Sequence, residues 1–369
     1  MKILLVTDLY PLENEHISKV LLNFARSWIE AGHTITVIRP NFMLNTIIRG
    51  RKIIKEKLYE EQGIKIYNLN FVTPFWFNVR RKLPRDFSLK NYDVMISHMP
   101  SGSLFAQQLL KKEKIKYICA VHASDITVLK DFKYALYFRQ ALKNAYLSAD
   151  KIAARSPVLE QKIKQIIPET KNKTFTAFSG IKKTLKTPDS LSRFYFKTLK
   201  IYSAASLIKR KNIDIVLKAL SMLKTDFKYT ISGTGPEYNN LKKAAEKLKI
   251  SDKVHFTGGV TQEEVFNNML KSGIFVLLSS SETFGLVYLE AMKAGCIVIA
   301  KRNDGIDGIL KDGQNAFLIN ADSIELKDCL EKILNMEEAE INRMRAEAVK
   351  TAEKFSEKAA ADNYLHNIS

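Results

Sequence analysis

Residues 279–300 read SSSETFGLVYLEAMKAGCIVIA and place two carboxylates between two apolar runs. The first run ends at Ser279, and a loop that carries Glu282 leads into a short helical pattern that carries Glu290. The helical pattern ends near Gly295, where the next apolar run begins. The stretch therefore predicts a strand, a loop, a helix and a second strand, with both glutamates on the connection between the strands.

The beginning of that predicted helix is a candidate site for an anion. Its first backbone N–H groups, near Gly285, Leu286 and Val287, have no partner within the helix. Free N–H donors and the helix dipole favour a phosphate, and a glycine at position 285 lets a ligand approach the backbone closely. We therefore expect a phosphate-bearing ligand at this end of the helix.

Outward from this stretch, short β-branched runs alternate with helical patterns along the whole chain. The predicted strands are Ile3–Thr7, Thr34–Arg39, Val94–His98, Tyr117–His122, Lys151–Ala154, Leu199–Ala204, Lys228–Ser232, Lys253–Thr257, Phe275–Ser279 and Ile297–Lys301. Such alternation predicts α/β architecture with two doubly wound, Rossmann-like domains. Ligand groups in such domains come from loops that follow strands, at the edge of a cleft.

The length of 369 residues favours two domains of ordinary size. Residues 182–197 are mostly polar and basic and include Pro188, Asp189 and Ser190, which is typical of a linker. We therefore predict an N-terminal domain over residues 1–185, a C-terminal domain over residues 186–345, and a C-terminal helical segment over residues 346–369.

Composition limits the class of protein. The net charge of +19 and the pI of about 9.6 attract nucleic acid, anionic lipid headgroups or phosphorylated ligands. The longest apolar runs are far shorter than the roughly 20 residues that span a bilayer, and the first residues lack the cleavage site of a signal peptide. Three scattered cysteines fit a reducing compartment, so we expect a cytoplasmic protein.

Glu282 and Glu290 match the E-x7-E signature of retaining, metal-independent glycosyltransferases of the GT-B fold, in particular family 4, and the resemblance spans nearly the whole chain. It implies two domains that face a central cleft, with the acceptor bound by the N-terminal domain and a nucleotide-sugar by the C-terminal domain. It also implies that residues 346–369 cross back to the first domain. In this family the first glutamate contacts sugar hydroxyls, and the second holds the ribose hydroxyls of the nucleotide.

The segment SAASLIKRKNID resembles the stretch in which family members clamp the donor diphosphate with an arginine and a lysine. Lys211 matches the lysine, whereas Ser206 stands in the place of the arginine, and a hydroxyl cannot bind phosphate as a guanidinium does. Arg210 and Lys209 are the candidates for a replacement. The remaining residues that the resemblance assigns to the donor are Gly233, Gly235, Gly258, Val260, Phe284, Gly285, Leu286 and Val287.

In the first half, the segment AVHASD resembles the family segment whose histidine approaches the transferred sugar, so His122 joins Glu282 as a predicted catalytic residue. His98 follows an adjacent strand and is a competing candidate. The family's glycine pair in the first loop is replaced by Asn14, Glu15 and His16, which with His98 are the predicted acceptor-side residues. A later loop contains Asp304, Gly305 and Gly308, to which we assign no catalytic role.

No Asp-x-Asp triplet and no zinc-like spacing of His and Cys occurs, so we expect no metal and no cofactor, with the nucleotide-sugar as a substrate. Two segments, Ile47–Lys57 and Phe75–Arg85, mix cations with apolar residues, which suits peripheral contact with the inner face of the cell membrane. A solvated protein surface explains them equally well. No nucleic-acid reader motif is present, so we expect no nucleic-acid partner.

The predicted function is retaining transfer of a hexose-type sugar from a nucleotide-sugar, with uridine as the base that the family favours, to a carbohydrate or polyprenyl-linked acceptor. The resemblance places this reaction in the synthesis of bacterial capsule, O-antigen or exopolysaccharide. Two alternatives stay open: a nucleotide-sugar-binding module without turnover, and a basic nucleic-acid-binding protein. A glycosidase is disfavoured because its two carboxylates must flank the scissile bond.

Overall fold

The chain forms two α/β units, which the computed structural model describes over residues 1–10, 19–42, 58–71, 82–131, 136–188 and 198–369. Contacts within the chain assign Met1–Ser179 and Glu357–Ser369 to the first unit and Gly180–Ser356 to the second. The division after Ser179 precedes the boundary that we predicted at residue 185. The returning segment begins at Glu357 rather than at residue 346, and residues 189–197 of the predicted linker lie outside the described residues.

The first unit has one sheet, in which eight strands are described, in the order β3-β4-β2-β1-β5-β6-β7-β8. The strands are β1 Lys2–Val6, β2 Thr34–Phe42, β3 Leu58–Glu61, β4 Ile64–Phe71, β5 Val94–Ser97, β6 Lys116–Val121, β7 Lys151–Ala154 and β8 Thr174–Thr176. Neighbours pair in parallel except β3 and β4, which form a tight hairpin at Gln62 and Gly63. The helices described between them are α1 Val20–Glu30, α2 Met99–Leu110, α3 Ala123–Lys130, α4 Leu136–Ser148 and α5 Pro157–Ile166.

The second unit has a parallel sheet in the order β11-β10-β9-β12-β13-β14. Its strands are β9 Leu199–Ala204, β10 Phe227–Ser232, β11 Val254–Gly258, β12 Ile274–Leu277, β13 Ile297–Lys301 and β14 Phe317–Ile319. Its helices are α6 Ile213–Ser221, α7 Tyr238–Lys247, α8 Gln262–Leu270, α9 Leu286–Lys293, α10 Ser323–Leu334 and α11 Glu338–Glu353. Short 3-10 helices cover Leu89–Asn91 and Pro168–Lys173 in the first unit, and Lys209–Lys211 and Ser251–Lys253 in the second.

The prediction of two doubly wound, Rossmann-like units is confirmed, and all ten predicted strands are present. Three match at both ends, and most of the others shift by a residue or two, as for β12, which ends at Leu277 rather than at Ser279. Four strands were missed. Of these, β8 and β14 are only three residues long and carry no measurable periodicity, whereas β4, with the sequence IKIYNLNF, is long enough to have been recognised.

Alternation along the strands builds a core on each face of the first sheet. In β1, Leu4 and Val6 belong to one buried cluster and Ile3 and Leu5 to another, because successive side chains point to opposite faces. All four are at most 1% exposed. Such a two-sided strand needs helices on both faces, which is why the strand reads as a continuous apolar run.

The last helix, α12 Glu357–Ile368, completes the core of the first unit. Its Tyr364 is fully buried, with ring centroids 5.4 Å from Trp28 and 5.5 Å from Phe24 of α1. The indole N–H of Trp28 donates to the carbonyl oxygen of Ala361 at 3.2 Å. None of the described helices is long and apolar enough to cross a bilayer.

Replacement of Tyr364 by alanine should lower the free energy of unfolding of the first unit by about 3–5 kcal/mol, because it empties a fully packed aromatic site. Tyr364→Phe is the matched control. The Tyr364 hydroxyl has no hydrogen-bond partner among the described residues, so its removal should change stability by less than about 1 kcal/mol. Urea unfolding followed by tryptophan fluorescence reports on this unit, since both tryptophans lie in residues 1–179. Equal losses in the two variants would contradict this account of α12.

Candidate functional site

Three loops of the second unit meet at one edge of its sheet. Strands β9 and β12 are neighbours at the point where the strand order reverses, and β13 lies beside β12. The loops that follow these strands carry Lys211, Glu282 and Asp304 respectively. Because parallel strands point the same way, their loops emerge together, and the reversal of strand order opens a crevice for a ligand.

Glu282 is the centre of this group. Its Oε1 atom forms an ion pair with the Nζ of Lys211 and accepts a hydrogen bond of 2.6 Å from Ser279 Oγ. Arg210 Nη1 lies 3.4 Å from the same oxygen. The side chains of Glu282 and Lys211 are only 16% and 11% exposed. No partner is present for Glu282 Oε2 among the described residues, so this oxygen is the free acceptor of the site.

The surroundings keep Glu282 ionised at neutral pH. Burial by itself raises the pKa of its carboxyl, but the Lys211 ammonium and the hydrogen bonds from Lys211 and Ser279 outweigh that effect. The net result is a lowered pKa. A carboxylate with one oxygen neutralised by cations and the other open can accept hydrogen bonds from hydroxyl groups of a ligand.

Arg210 ties two of the loops together. Its backbone carbonyl accepts the N–H of Ser280 at 2.7 Å, and its guanidinium lies 3.3 Å and 3.4 Å from the carbonyl oxygens of Ser280 and Ser281. Ser206 and Lys209 are exposed. Of the two candidates for the second cation, the structure therefore brings Arg210 to the Glu282 site, together with Lys211.

The second glutamate, Glu290, is buried on α9. It is 7% exposed, and its Oε1 accepts a hydrogen bond of 2.7 Å from Gln262 Nε2 at the start of α8. Burial raises the pKa of Glu290 above its usual range, although the Gln262 hydrogen bond and the charge of Lys182 oppose the effect. Gly285, whose φ is 95°, lies directly before α9. The amides of Leu286 and Val287, which we predicted to bind an anion, follow it.

The loops that contain Gly233, Gly235 and Gly258 lie beside the loop that follows β9. At Gly233, a Cβ atom would lie 1.9 Å from the carbonyl oxygen of Ala205, so only glycine allows this approach of two backbones. The N–H of Gly233 donates to the carbonyl of Gly258 at 2.7 Å. In the next turn, the N–H of Leu207 donates to the carbonyl of Thr234 at 2.8 Å, beside Gly235. The loops after β9, β10 and β11 are thereby joined by their backbones.

The histidines of the first unit form a pair. His98 and His122 directly follow β5 and β6, and His98 Nδ1 lies 3.0 Å from His122 Nε2. His98 is fully buried, whereas His122 keeps part of its surface exposed. Burial and the Arg155 cation lower the pKa of His122 to about 3. Burial, with smaller contributions from His122 and Arg155, lowers the pKa of His98 well below its usual value. Both rings are therefore neutral at physiological pH.

A buried carboxyl supports the exposed member of this pair. Asp125, on α3, accepts the backbone N–H of His122 at 3.0 Å and the hydroxyl of Tyr146 at 2.7 Å. Burial raises the pKa of Asp125 to about 7. The contacts hold the start of α3, and with it His122, at the end of β6.

Several residues of these groups were not predicted to take part, namely Ser279, Asp304, Gln262 and Arg155. Asp304 and Arg155 each follow a strand, so the same strand-end rule that identified His122 could have found them. Gln262 carried no signal. Asn14, Glu15 and His16, the basic segment Ile47–Lys57 and residues 75–81 of the second basic segment lie outside the described residues.

Two family models match the chain and divide it near the boundary of the two units. Residues 17–182 match the model described as "Glycosyltransferase Family 4". Residues 192–359 match the model described as "Glycosyl transferases group 1".

Relatives agree with the family models. An uncharacterised glycosyltransferase from Methanocaldococcus jannaschii is 28% identical over 250 residues, which cover 67% of this chain and 66% of the relative. The N-acetyl-alpha-D-glucosaminyl L-malate synthase of Bacillus anthracis is 25% identical over 349 residues, which cover 91% of this chain and 88% of the synthase.

Solved structures show the same fold. Anabaena HepE, in a crystal structure with UDP and glucose, matches 100% of this chain and 99% of its own with a TM-score of 0.73 at 14% identity. At that identity the likeness concerns the fold alone. The two family models between them account for most of the chain, which therefore belongs to the family 4 glycosyltransferases of the GT-B fold.

Proposed function

We propose that the protein transfers a hexose-type sugar from a UDP-sugar to a lipid-linked or oligosaccharide acceptor, with retention of the anomeric configuration, in the synthesis of bacterial polysaccharide or lipopolysaccharide. The observation that carries the proposal is the Glu282 carboxylate. Cations hold one of its oxygens while the other remains open. Such an anion, placed beside Lys211 and Arg210, suits a ligand that carries both sugar hydroxyls and phosphate.

The donor is held at two points in this proposal. Glu282 Oε2 accepts hydrogen bonds from the sugar, and Glu290, whose Oε1 is engaged by Gln262, offers its second oxygen to the ribose hydroxyls. UDP is the favoured nucleotide because HepE, a structural relative with the same fold, binds UDP and glucose. A buried carboxylate that gains two hydroxyl donors recovers part of the hydration that burial removed.

Departure of the diphosphate is the main electrostatic demand of the reaction. The bond between the anomeric carbon and the phosphate oxygen breaks, and its electron pair leaves with UDP. Lys211 and Arg210 stabilise the charge that develops there, assisted by the amides that begin α9, so no metal is required. The acceptor oxygen forms its bond on the same face of the sugar, and its proton passes to the departing phosphate oxygen.

The first unit supplies the acceptor side. His122 is neutral, so we assign it hydrogen bonding to a sugar hydroxyl rather than charge stabilisation. The first unit carries 30 Lys and Arg residues against 17 Asp and Glu residues, whereas the second carries 28 against 22. This excess of cations supports a polyprenyl-linked acceptor and peripheral binding to the inner face of the cell membrane, whose anionic lipids attract basic proteins.

A nucleotide-sugar-binding module without turnover is the second candidate. One observation favours it: the exposed Ser206 stands where the family places an arginine on the diphosphate. Turnover separates the two candidates. Release of UDP with a panel of UDP-sugars and saccharide or polyprenyl-phosphate acceptors supports the transferase, whereas binding of UDP without release from any donor supports the module.

Calorimetric titration with UDP, GDP and ADP tests the donor site. We expect UDP to bind, and Glu290→Ala and Lys211→Ala each to weaken it about 10- to 100-fold, since each removes a hydrogen bond that involves a charged group. The exposed Glu246→Ala and Lys350→Ala variants are the controls and should change the affinity less than twofold. If no diphosphate binds to the folded protein, or the controls behave like the site variants, the assignment of the donor site is wrong.

The role of Arg210 is tested separately from that of Lys211. Arg210→Ala should weaken UDP binding by about tenfold, because a partly exposed cation on the phosphate contributes less than a buried one. Lys209→Ala removes a neighbouring exposed charge and should have an effect below twofold. Equal effects of the two substitutions would show that only the general positive charge of this turn matters.

A further inference from the structure

A buried carboxylate on the loop after β13 holds the backbone of the Glu282 loop. Asp304 is 7% exposed, and its two oxygens accept one N–H each. Oδ2 accepts from Ser281 at 2.6 Å and Oδ1 from Glu282 at 2.7 Å. We propose that Asp304 is a positioning residue for transfer, which acts by fixing Glu282. The inference rests on the proposed function, in which Glu282 binds the donor sugar.

The backbone at this point needs such a clamp. Ser281 has φ of 63°, in the left-handed region that residues with a side chain rarely adopt. That conformation turns two successive N–H groups toward the same side, where Asp304 accepts both. Without the carboxylate, two inward-facing donors would lose their partners, and nothing would compensate for the strain at Ser281.

The loop of Asp304 also touches the stem of Glu282. A Cβ atom at Gly305 would lie 2.7 Å from Glu282 Cβ and 2.9 Å from the carbonyl oxygen of Phe284, and Gly305 has φ of 43°. The absence of a side chain at Gly305 therefore lets the two loops pack directly. Glu282 is thus held at three levels: its amide by Asp304, its stem by Gly305, and its Oε1 by Lys211 and Ser279.

Charge alone does not explain the position of Asp304. A second carboxylate near Glu282 adds like charge to the site, and the Lys301 ammonium lies 3.7 Å from Asp304 Oδ2. A hydroxyl or amide would avoid the added charge but could not accept from both N–H groups with two equivalent oxygens. The geometry of the two acceptors is what the site requires, and its effect passes through the orientation of Glu282.

Asp304→Asn is the direct test. The carboxamide keeps one acceptor and sets its NH2 group against the other backbone N–H. We expect kcat to fall about 10- to 100-fold, while the affinity for UDP alone changes less than about threefold. The matched control is Asp307→Asn. Asp307 lies on the same loop and accepts the N–H of Asn303 at 2.6 Å. Its substitution therefore removes an equal charge without removing a hydrogen bond to the Glu282 loop. Its kcat should stay within twofold.

A double-mutant cycle separates positioning from a general structural role. In a Glu282→Gln background, the further change Asp304→Asn should lower kcat less than twofold, because the residue through which it acts has already lost its charge. The same factor in both backgrounds would overturn the proposal. So would a loss of UDP affinity as large as the loss of kcat.

Two measurements keep the proposal testable apart from transfer. Hydrogen exchange of at least one of the Ser281 and Glu282 amides should accelerate at least tenfold in Asp304→Asn and of neither in Asp307→Asn; unchanged exchange of both amides in Asp304→Asn refutes the clamp. The exchange test remains valid even if the wild type neither binds UDP nor transfers sugar, an outcome that would refute the proposed function alone.

If Asp304→Asn does not fold, Gly305→Ala disturbs Glu282 from its other side and should lower kcat while UDP still binds; unchanged kcat would count against positioning.

Discussion

The largely buried ion pair between Lys211 and Glu282 is the interaction on which the candidate site of the second unit depends. It joins the loops after β9 and β12, at the point where the order of the strands reverses. Burial of two charges is costly, and their attraction compensates only when further hydrogen bonds satisfy what remains. Ser279 and Arg210 supply such contacts to one oxygen of Glu282, and Asp304 supplies them to the backbone. The second oxygen has no partner among the described residues, and in the proposed function it accepts hydrogen bonds from the donor sugar.

The two units use the same architecture but place different kinds of side chain at the ends of their strands. Both place functional side chains directly after neighbouring parallel strands, which is where a doubly wound sheet offers a crevice. In the second unit these side chains are charged and paired. In the first unit they are two neutral histidines, joined to each other at 3.0 Å. Fixed positive charge suits a phosphate, and a neutral imidazole can donate to or accept from a hydroxyl group, so the division is consistent with the donor and acceptor sides of the proposed function.

The sequence predicted what depends on local pattern and missed what depends on contact. Apolar runs revealed ten strands, and segments that resemble the family singled out Glu282, Glu290 and Lys211 as candidate site residues. Two things were missed. The hairpin of β3 and β4 interrupts the regular alternation, although the apolar run of β4 is long enough to have been recognised. The partners of the glutamates, Gln262 and Asp304, lie 28 and 22 residues away in the chain, and only Asp304 could have been identified, because it follows a strand. His98, which we had considered a competitor of His122, is its hydrogen-bond partner.

Burial, assisted by a nearby guanidinium, keeps the two histidines neutral. Arg155 follows β7, is 1% exposed, donates to Ser179 Oγ at 2.6 Å and lies 4.8 Å from the centre of the Phe24 ring. Burial lowers its pKa only to about 10, so it keeps its charge at physiological pH, and that charge lowers the pKa of both His98 and His122. Loss of the charge would let the pair titrate closer to neutrality. The cation of Arg155 therefore adds to the effect of burial and favours a neutral imidazole at His122, as the hydrogen bond in the proposed function requires.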